Sequence, residues 1–179
     1  MVENIFMKNQ MLPVLEDYLS YATGSRENLG EMLPVAVYRM LEYSLKEELR
    51  ARFGKEEQIA LFRGAGRRAG AYIAKTYLDL NQDMDAFVSQ LQRKLVEMKI
   101  GVLRIESIDD ATGRIHLTVA EDADCSGLPI LGETVCNYDE GFLSGVLTAY
   151  TGKPYSAVEI NCWATGDRVC RFCIEVDTK

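Results

Sequence analysis

Three cysteines and a glutamate in the last quarter of the chain constrain its folding more than any other feature. They are Cys136, Glu159, Cys162 and Cys170. Soft sulfur ligands together with one hard oxygen can make a closed tetrahedral zinc site. To meet, Glu159-Ile-Asn-Cys162 must turn at Gly166 and lie beside Cys170, and Cys136 must arrive from elsewhere. Cys136 stands just before a helical pattern, where the positive end of the helix dipole favours the thiolate. The spacing alone leaves a second reading open, because free cysteines are among the most buried residues and the group also fits packed thiols. Cys125, in a loop, is an alternative to Glu159 that would make the site all-thiolate. Parity sets Cys173 apart: on a strand over 169–176, Cys170, Phe172, Ile174 and Val176 share one face, and Cys173 points away with Arg171 and Glu175.

Around this stretch the chain reads as α+β. Pro34 opens a helical pattern in which Val37, Met40, Leu41, Ser44, Leu45, Leu49 and Phe53 form one apolar face, expected to point inward, and Gly54 ends it. A second helix is expected over 55–78, with Ile59, Phe62, Ala69, Ile73 and Tyr77 inward. Gly64, Gly66 and Gly70 each weaken that helix by about 1 kcal/mol relative to alanine, so they point to a closely packed neighbour or a kink. Arg63, Arg67 and Arg68 beside them read as a solvated face. A third helix is expected over 84–98. After Gly101 the period changes: Val102 to Ile108 and Arg114 to Val119 read as a hairpin turning at Asp109–Gly113. A helix from about Asn137 to Gly152 follows, with small Ser144 and Gly145 again marking a close neighbour, and then strands over 155–160 and 169–176. Helices first and an antiparallel sheet after them make a single domain of helices packed on a sheet. We place it at residues 29–179, after an N-terminal segment 1–28 that has at most a short helix from Met11.

Charge and composition exclude several classes. The chain has 179 residues, 47% of them hydrophobic, which is enough for one core. A net charge of −7 without a basic tract argues against direct nucleic-acid binding and against docking on anionic membranes. No apolar run spans a membrane, and Met1 to Met7 lacks the regions of a signal peptide, so a cytoplasmic location is expected. Five cysteines kept reduced there fit metal binding or burial better than disulfides. There is no dinucleotide-binding glycine motif after a strand, and the single histidine, His116, alternates away from the apolar face of its strand. No catalytic constellation is visible.

From Gly132 to Val176 the chain resembles the 4-vinyl reductase (4VR) domain family, also called hydrocarbon-binding. The resemblance rests on Cys136, Gly141-Phe-Leu-Ser-Gly145, Gly152-Lys-Pro, Glu159-Ile-Asn-Cys162 and Gly166-Asp-Arg-Val-Cys170-Arg-Phe. The sensor domains of phenol- and xylene-responsive activators share the pattern. The resemblance implies a structural Zn²⁺ held by Cys136, Glu159, Cys162 and Cys170. It also implies a homodimer, a ligand-binding fold shared by nitric-oxide-signalling and Golgi-transport proteins, and an internal pocket for an apolar or aromatic small molecule. The expected function is a binding or sensor module rather than an enzyme. The alternative is a carrier or vinyl reductase of the tetrapyrrole (chlorophyll-precursor) pathway. Val37, Leu41, Phe62, Tyr72 and Phe87 are possible pocket liners. His116 and Trp163 do not match the phenol-gripping positions of the sensors, so phenol specificity is not carried over.

Overall fold

The structure is a computed structural model that describes residues 14–20, 28–30, 32–109 and 111–177. Two compact units divide at Leu33 and Pro34. The first contains α1 (Leu15–Ser20), in which Asp17 caps the N-terminus by accepting from the Val14 N–H. The early helical expectation from Met11 falls partly outside the described residues.

The second unit holds α2 (Val35–Phe53), α3 (Lys55–Tyr77), α4 (Met84–Glu97), β1 (Val102–Asp109), β2 (Arg114–Ala120), α5 (Asn137–Thr151), β3 (Tyr155–Asn161) and β4 (Cys170–Val176). Local chemistry sets these limits. Gly54 breaks α2 from α3 at a φ of 85°, a conformation that favours glycine. Asp83 caps α4, its Oδ1 accepting from the Ala86 N–H at 2.9 Å. Gly152 closes α5 in the left-handed conformation. The β1–β2 turn is held by Asp109, whose carbonyl accepts from the Gly113 N–H. The four strands form one antiparallel sheet in the order β1-β2-β4-β3. The expected succession of three helices, a hairpin, a helix and a second hairpin is the one observed.

The core lies between this sheet and α5. Ile115, Leu117 and Val119 of β2 and Cys170, Phe172 and Ile174 of β4 turn their side chains inward. Cys173 and His116 pair in register on the other face, as strand parity requires. Helix α5 is buried on nearly all sides, from Asn137 to Leu147, because α3 covers its outer face. The two helices meet through four glycines. A Cβ on Gly66 would lie 2.0 Å from the Tyr138 carbonyl oxygen, and one on Gly70 would lie 2.0 Å from that of Phe142. From the other side, a Cβ on Gly141 would strike the Arg63 carbonyl and one on Gly145 that of Arg67. The close neighbour expected from the glycines of α3 and from Gly145 is therefore each helix for the other. Gly64, in contrast, faces open space.

Two inward faces differ from expectation. On α3 the buried line is Gln58, Phe62, Gly66, Gly70 and Ala74, whereas Tyr77 is exposed. Large side chains mark where apolar surface is, but the closest approach belongs to the residues that have almost none. On α2 the apolar face points outward: Met40 is 71% and Leu41 69% exposed, and Val37 and Leu45 are also exposed. The buried residues are instead Glu42 and Lys46. This inverted helix lies on the segment 122–135 and satisfies its polar groups. Arg39 donates to the carbonyls of Ala123 and Ser126, Tyr38 to Asp124 Oδ1 at 2.6 Å, and Lys46 to the Val135 carbonyl at 2.7 Å. A hydrophobic period shows that a face prefers to leave water; it does not say which partner covers it.

The glycine crossing gives a direct test. Gly66→Ala and Gly141→Ala are each expected to destabilise the fold by about 1–3 kcal/mol or more in urea unfolding, because backbone would have to move. Gly64→Ala should be neutral or stabilise by up to about 1 kcal/mol.

Candidate functional site

The N-terminus of α5 and the inner edge of the sheet bring four cysteines together. Cys136 is the residue before α5, Cys162 follows β3, Cys170 begins β4, and Cys125 comes from the segment after β2. All four are buried, and their sulfurs lie within 4.8 Å of one another. The Cys136 Sγ is 3.9 Å from Cys162 Sγ and 3.7 Å from Cys170 Sγ, and Cys125 Sγ is 3.1 Å from Cys170 Sγ. Zinc–sulfur bonds of about 2.3 Å in a tetrahedron separate sulfurs by about 3.8 Å, so the two longer distances fit a shared ion.

Glu159 stands against this group without joining the four-sulfur set. It is 4% exposed on the inward face of β3. Its Oε2 accepts from the Cys136 N–H at 3.0 Å, and its Oε1, also buried, has no partner. Burial pushes its pKa up to about 8, and the neighbouring Cys162 adds to the shift. An orphaned carboxylate oxygen beside four thiols is what a cation-binding set presents. The site thus offers five donors, with Cys125 and Glu159 both beside the three cysteines selected from the sequence. The local backbone is held for this arrangement. Thr165 accepts from the Cys162 N–H and turns the chain through Trp163–Thr165, and Trp163 Nε1 donates to the Leu128 carbonyl.

A chain of ionic contacts links the site to the helix crossing. Glu140, in the first turn of α5, accepts from the Glu159 N–H at 2.9 Å and from Arg63 of α3 at 2.6 Å. Arg63, read from sequence as part of a solvated face, therefore has a defined partner; Arg67 and Arg68 are exposed. Periodicity gave no reason to single out Glu140, Asp122, Asp124 or Asp139, since acidic residues at loops and helix starts are ordinary. The signal available was Asp139-Glu140 directly after Cys136.

A second feature lies at the other end of the core. A closed cavity between α4, β1, β2 and α5 is lined entirely by apolar side chains, among them Phe87, Leu91, Leu103, Leu117, Leu143 and Val146. About 20 Å³ of it is open to the centre of a water molecule, room for roughly one water. Of the expected liners only Phe87 borders it. Val37 and Leu41 are exposed, Phe62 is buried beneath Lys46, and Tyr72 packs edge-on against Tyr77. Phe87 stacks on Tyr150 of α5 at 3.9 Å between ring centres. His116 is half-buried on the outer sheet face, its Nδ1 3.3 Å from Ser107 Oγ.

Helices packed on one face of a four-stranded antiparallel sheet define a ligand-binding fold found in several proteins. The sensory domain of the transcription activator PoxR, with phenol, superposes at a TM-score of 0.61 and 18% identity, over 80% of this chain and 75% of that one. A vinyl-4-reductase family protein from Methanocaldococcus jannaschii superposes at 0.59 and 14% identity, over 93% and 98%. The trafficking protein particle complex subunit 3 of Naegleria fowleri, covalently bound to palmitic acid, superposes at 0.62 and 10% identity, over 80% and 95%. Residues 115–176 match the vinyl-4-reductase (V-4-R) domain, which bears out the resemblance to the 4-vinyl reductase family over β2, α5, β3 and β4. Two uncharacterized proteins of Methanocaldococcus jannaschii, MJ0150 and MJ1642, are 24% and 28% identical over 92% and 86% of this chain, and 88% and 84% of their own lengths. Among the described residues, no helix is long and apolar enough to cross a membrane.

Proposed function

We propose that the protein is a binding or sensor module for an apolar, single-ring small molecule, clasped by a structural zinc ion and working as a homodimer. The observation that carries this reading is the cavity under α4, whose lining is wholly apolar. It fits the ligand of the PoxR domain in kind, while the lack of a polar group at its wall favours hydrocarbons over phenols. A ring the size of benzene occupies a cavity of about 150 Å³, so ligand entry requires α4 to move away from the sheet. A tetrapyrrole would need far more space, and no feature of this wall favours one. No residue set around the cavity provides an acid, base or nucleophile, so the module binds rather than catalyses.

The ion has a mechanical role. Four protein donors leave no open position for substrate, and closure ties the segment before α5 to the β3–β4 hairpin. Cys136, Cys162 and Cys170 are three of the donors. Glu159, implied by the family pattern, is the fourth; Cys125, adjoining Cys170, competes for that place. The dimer would form across α2. Val37, Met40, Leu41 and Leu45 make an exposed apolar stripe on a helix whose other face is committed to internal polar contacts. Reduced thiols and the absence of a membrane-length helix agree with a cytoplasmic site of action.

Three measurements test these points. Toluene is expected to raise the melting temperature of the protein and to be detected by calorimetry. Val146→Phe, which fills the cavity, should abolish both effects; unaltered binding in that variant would remove the pocket from the proposal. Metal analysis should find zinc on the purified chain. Cys170→Ser should lose it and melt at a lower temperature, whereas Cys173→Ser, on the outer sheet face, should stay within about 0.5 kcal/mol of the parent. Sedimentation should show a dimer, and Leu41→Asp should yield a folded monomer with the helical circular dichroism unchanged.

A further inference from the structure

A second group of donors adjoins the four thiols and shares one of them. Oxygens of Asp122 and Asp139 and the Sγ of Cys136 all lie within 4.8 Å of one another. Asp122 sits in the segment after β2, and Asp139 is in the first turn of α5. Asp122 is 3% exposed. Its Oδ1 accepts from the Asp124 N–H at 2.7 Å, and its buried Oδ2 has no hydrogen-bond partner. Buried oxygens without partners recur around it: Asp124 Oδ2 and Glu42 Oε2 are also unmatched.

The charge around this group is unbalanced. Glu42, Asp122, Asp124, Asp139 and Glu159 are five buried carboxyl groups beside four buried thiols. The cations that reach the carboxyl cluster from the packed elements are Lys46, on Glu42, and Arg39, which is turned to backbone carbonyls. Arg63 serves Glu140. One zinc in the thiol site neutralises two of these charges and leaves the carboxylates uncompensated. Buried carboxylates are stable only when protonated, paired or bound to a cation. An oxygen with no donor in reach, facing a second carboxylate and a thiolate, fits a cation best.

We propose that Asp122, Asp139 and Cys136 hold a second divalent transition-metal ion, such as Zn²⁺, with the Cys136 sulfur bridging it to the ion of the thiol site. Mixed carboxylate and thiolate donors suit zinc and its neighbours rather than Mg²⁺ or Ca²⁺, which take oxygen alone. A thiolate has lone pairs for two metals, and two cations on either side of Cys136 disperse its charge. The bridged pair would pin the segment after β2 to the start of α5, the two places from which the sequence supplies acids. This inference rests on the thiol site holding an ion.

The test is a stoichiometric titration of the full chain, stripped of metal by a chelator under reducing conditions, with Co²⁺ and then with Zn²⁺. Two equivalents per chain are expected. The second should alter the sulfur-to-cobalt absorption developed by the first, because one sulfur is shared. Asp122→Asn and Asp139→Asn should each reduce uptake to one equivalent and leave the first absorption in place. Uptake of one equivalent by the parent protein overturns the second site, assigns a shared proton to Asp122 and Asp139, and leaves the single-ion clasp standing. Uptake of two by both variants overturns the ligand assignment. Uptake of none overturns the clasp and the bridged pair together. Should the variants fail to fold, the count and the spectral change in the parent protein decide.

Discussion

Everything in this fold depends on how closely α3 and α5 approach. Gly66 and Gly70 on one helix and Gly141 and Gly145 on the other let each backbone rest on the carbonyls of its neighbour, where a single methyl group would collide. That contact decides the depth at which α5 sits on the sheet. It therefore decides where Cys136, the residue before the helix, meets Cys162 and Cys170. The Arg63–Glu140–Glu159 relay runs along the same junction, so an ionic contact and a steric one set the same position. Helical propensity is given up at four places to obtain it. The loss is offset only in the packed state, which makes the crossing a tertiary device and not a weak helix.

The polar interior follows from the same geometry. A helix held so close to its neighbour leaves its first turn, with Asp139 and Glu140, buried. The segment 122–135, which carries Asp122, Asp124 and Cys125, is then covered by α2. That helix turns Arg39, Glu42 and Lys46 inward and its apolar residues outward. The result is a core of two kinds. One end, under α4, is wholly apolar and nearly filled. The other is dense in thiols and acids and has few cations. Separation of this kind lets a ligand act on one end while metal keeps the other rigid.

How much of this was legible can be judged from particular residues. The order of helices and strands, the turn at Gly113, the face carried by Cys170 and the exclusion of Cys173 all follow from period and parity, which are local properties of the backbone. The glycines of α3 announced a close neighbour. The three cysteines of the cluster were visible as a group, and the family pattern named Glu159 beside them. Three things were not legible. Cys125 adjoins Cys170 because the segment after β2 folds back, and no spacing rule expresses that. Asp122, Asp139 and Glu140 look like ordinary surface acids until α2 and α3 cover them. The outward face of α2 reads as core because an apolar stripe has the same period whether it packs within a chain or faces away from it.

The sequence by itself determined the α+β class, the element order, the strand faces and the grouping of sulfur ligands. Those depend on backbone periodicity and on turn chemistry spread over a few residues. Only the tertiary structure decided which helix face is inside, which donors converge and how much room is left beneath α4. Those depend on distances between segments far apart in the chain, and the α3–α5 crossing sets them to within the size of a methyl group.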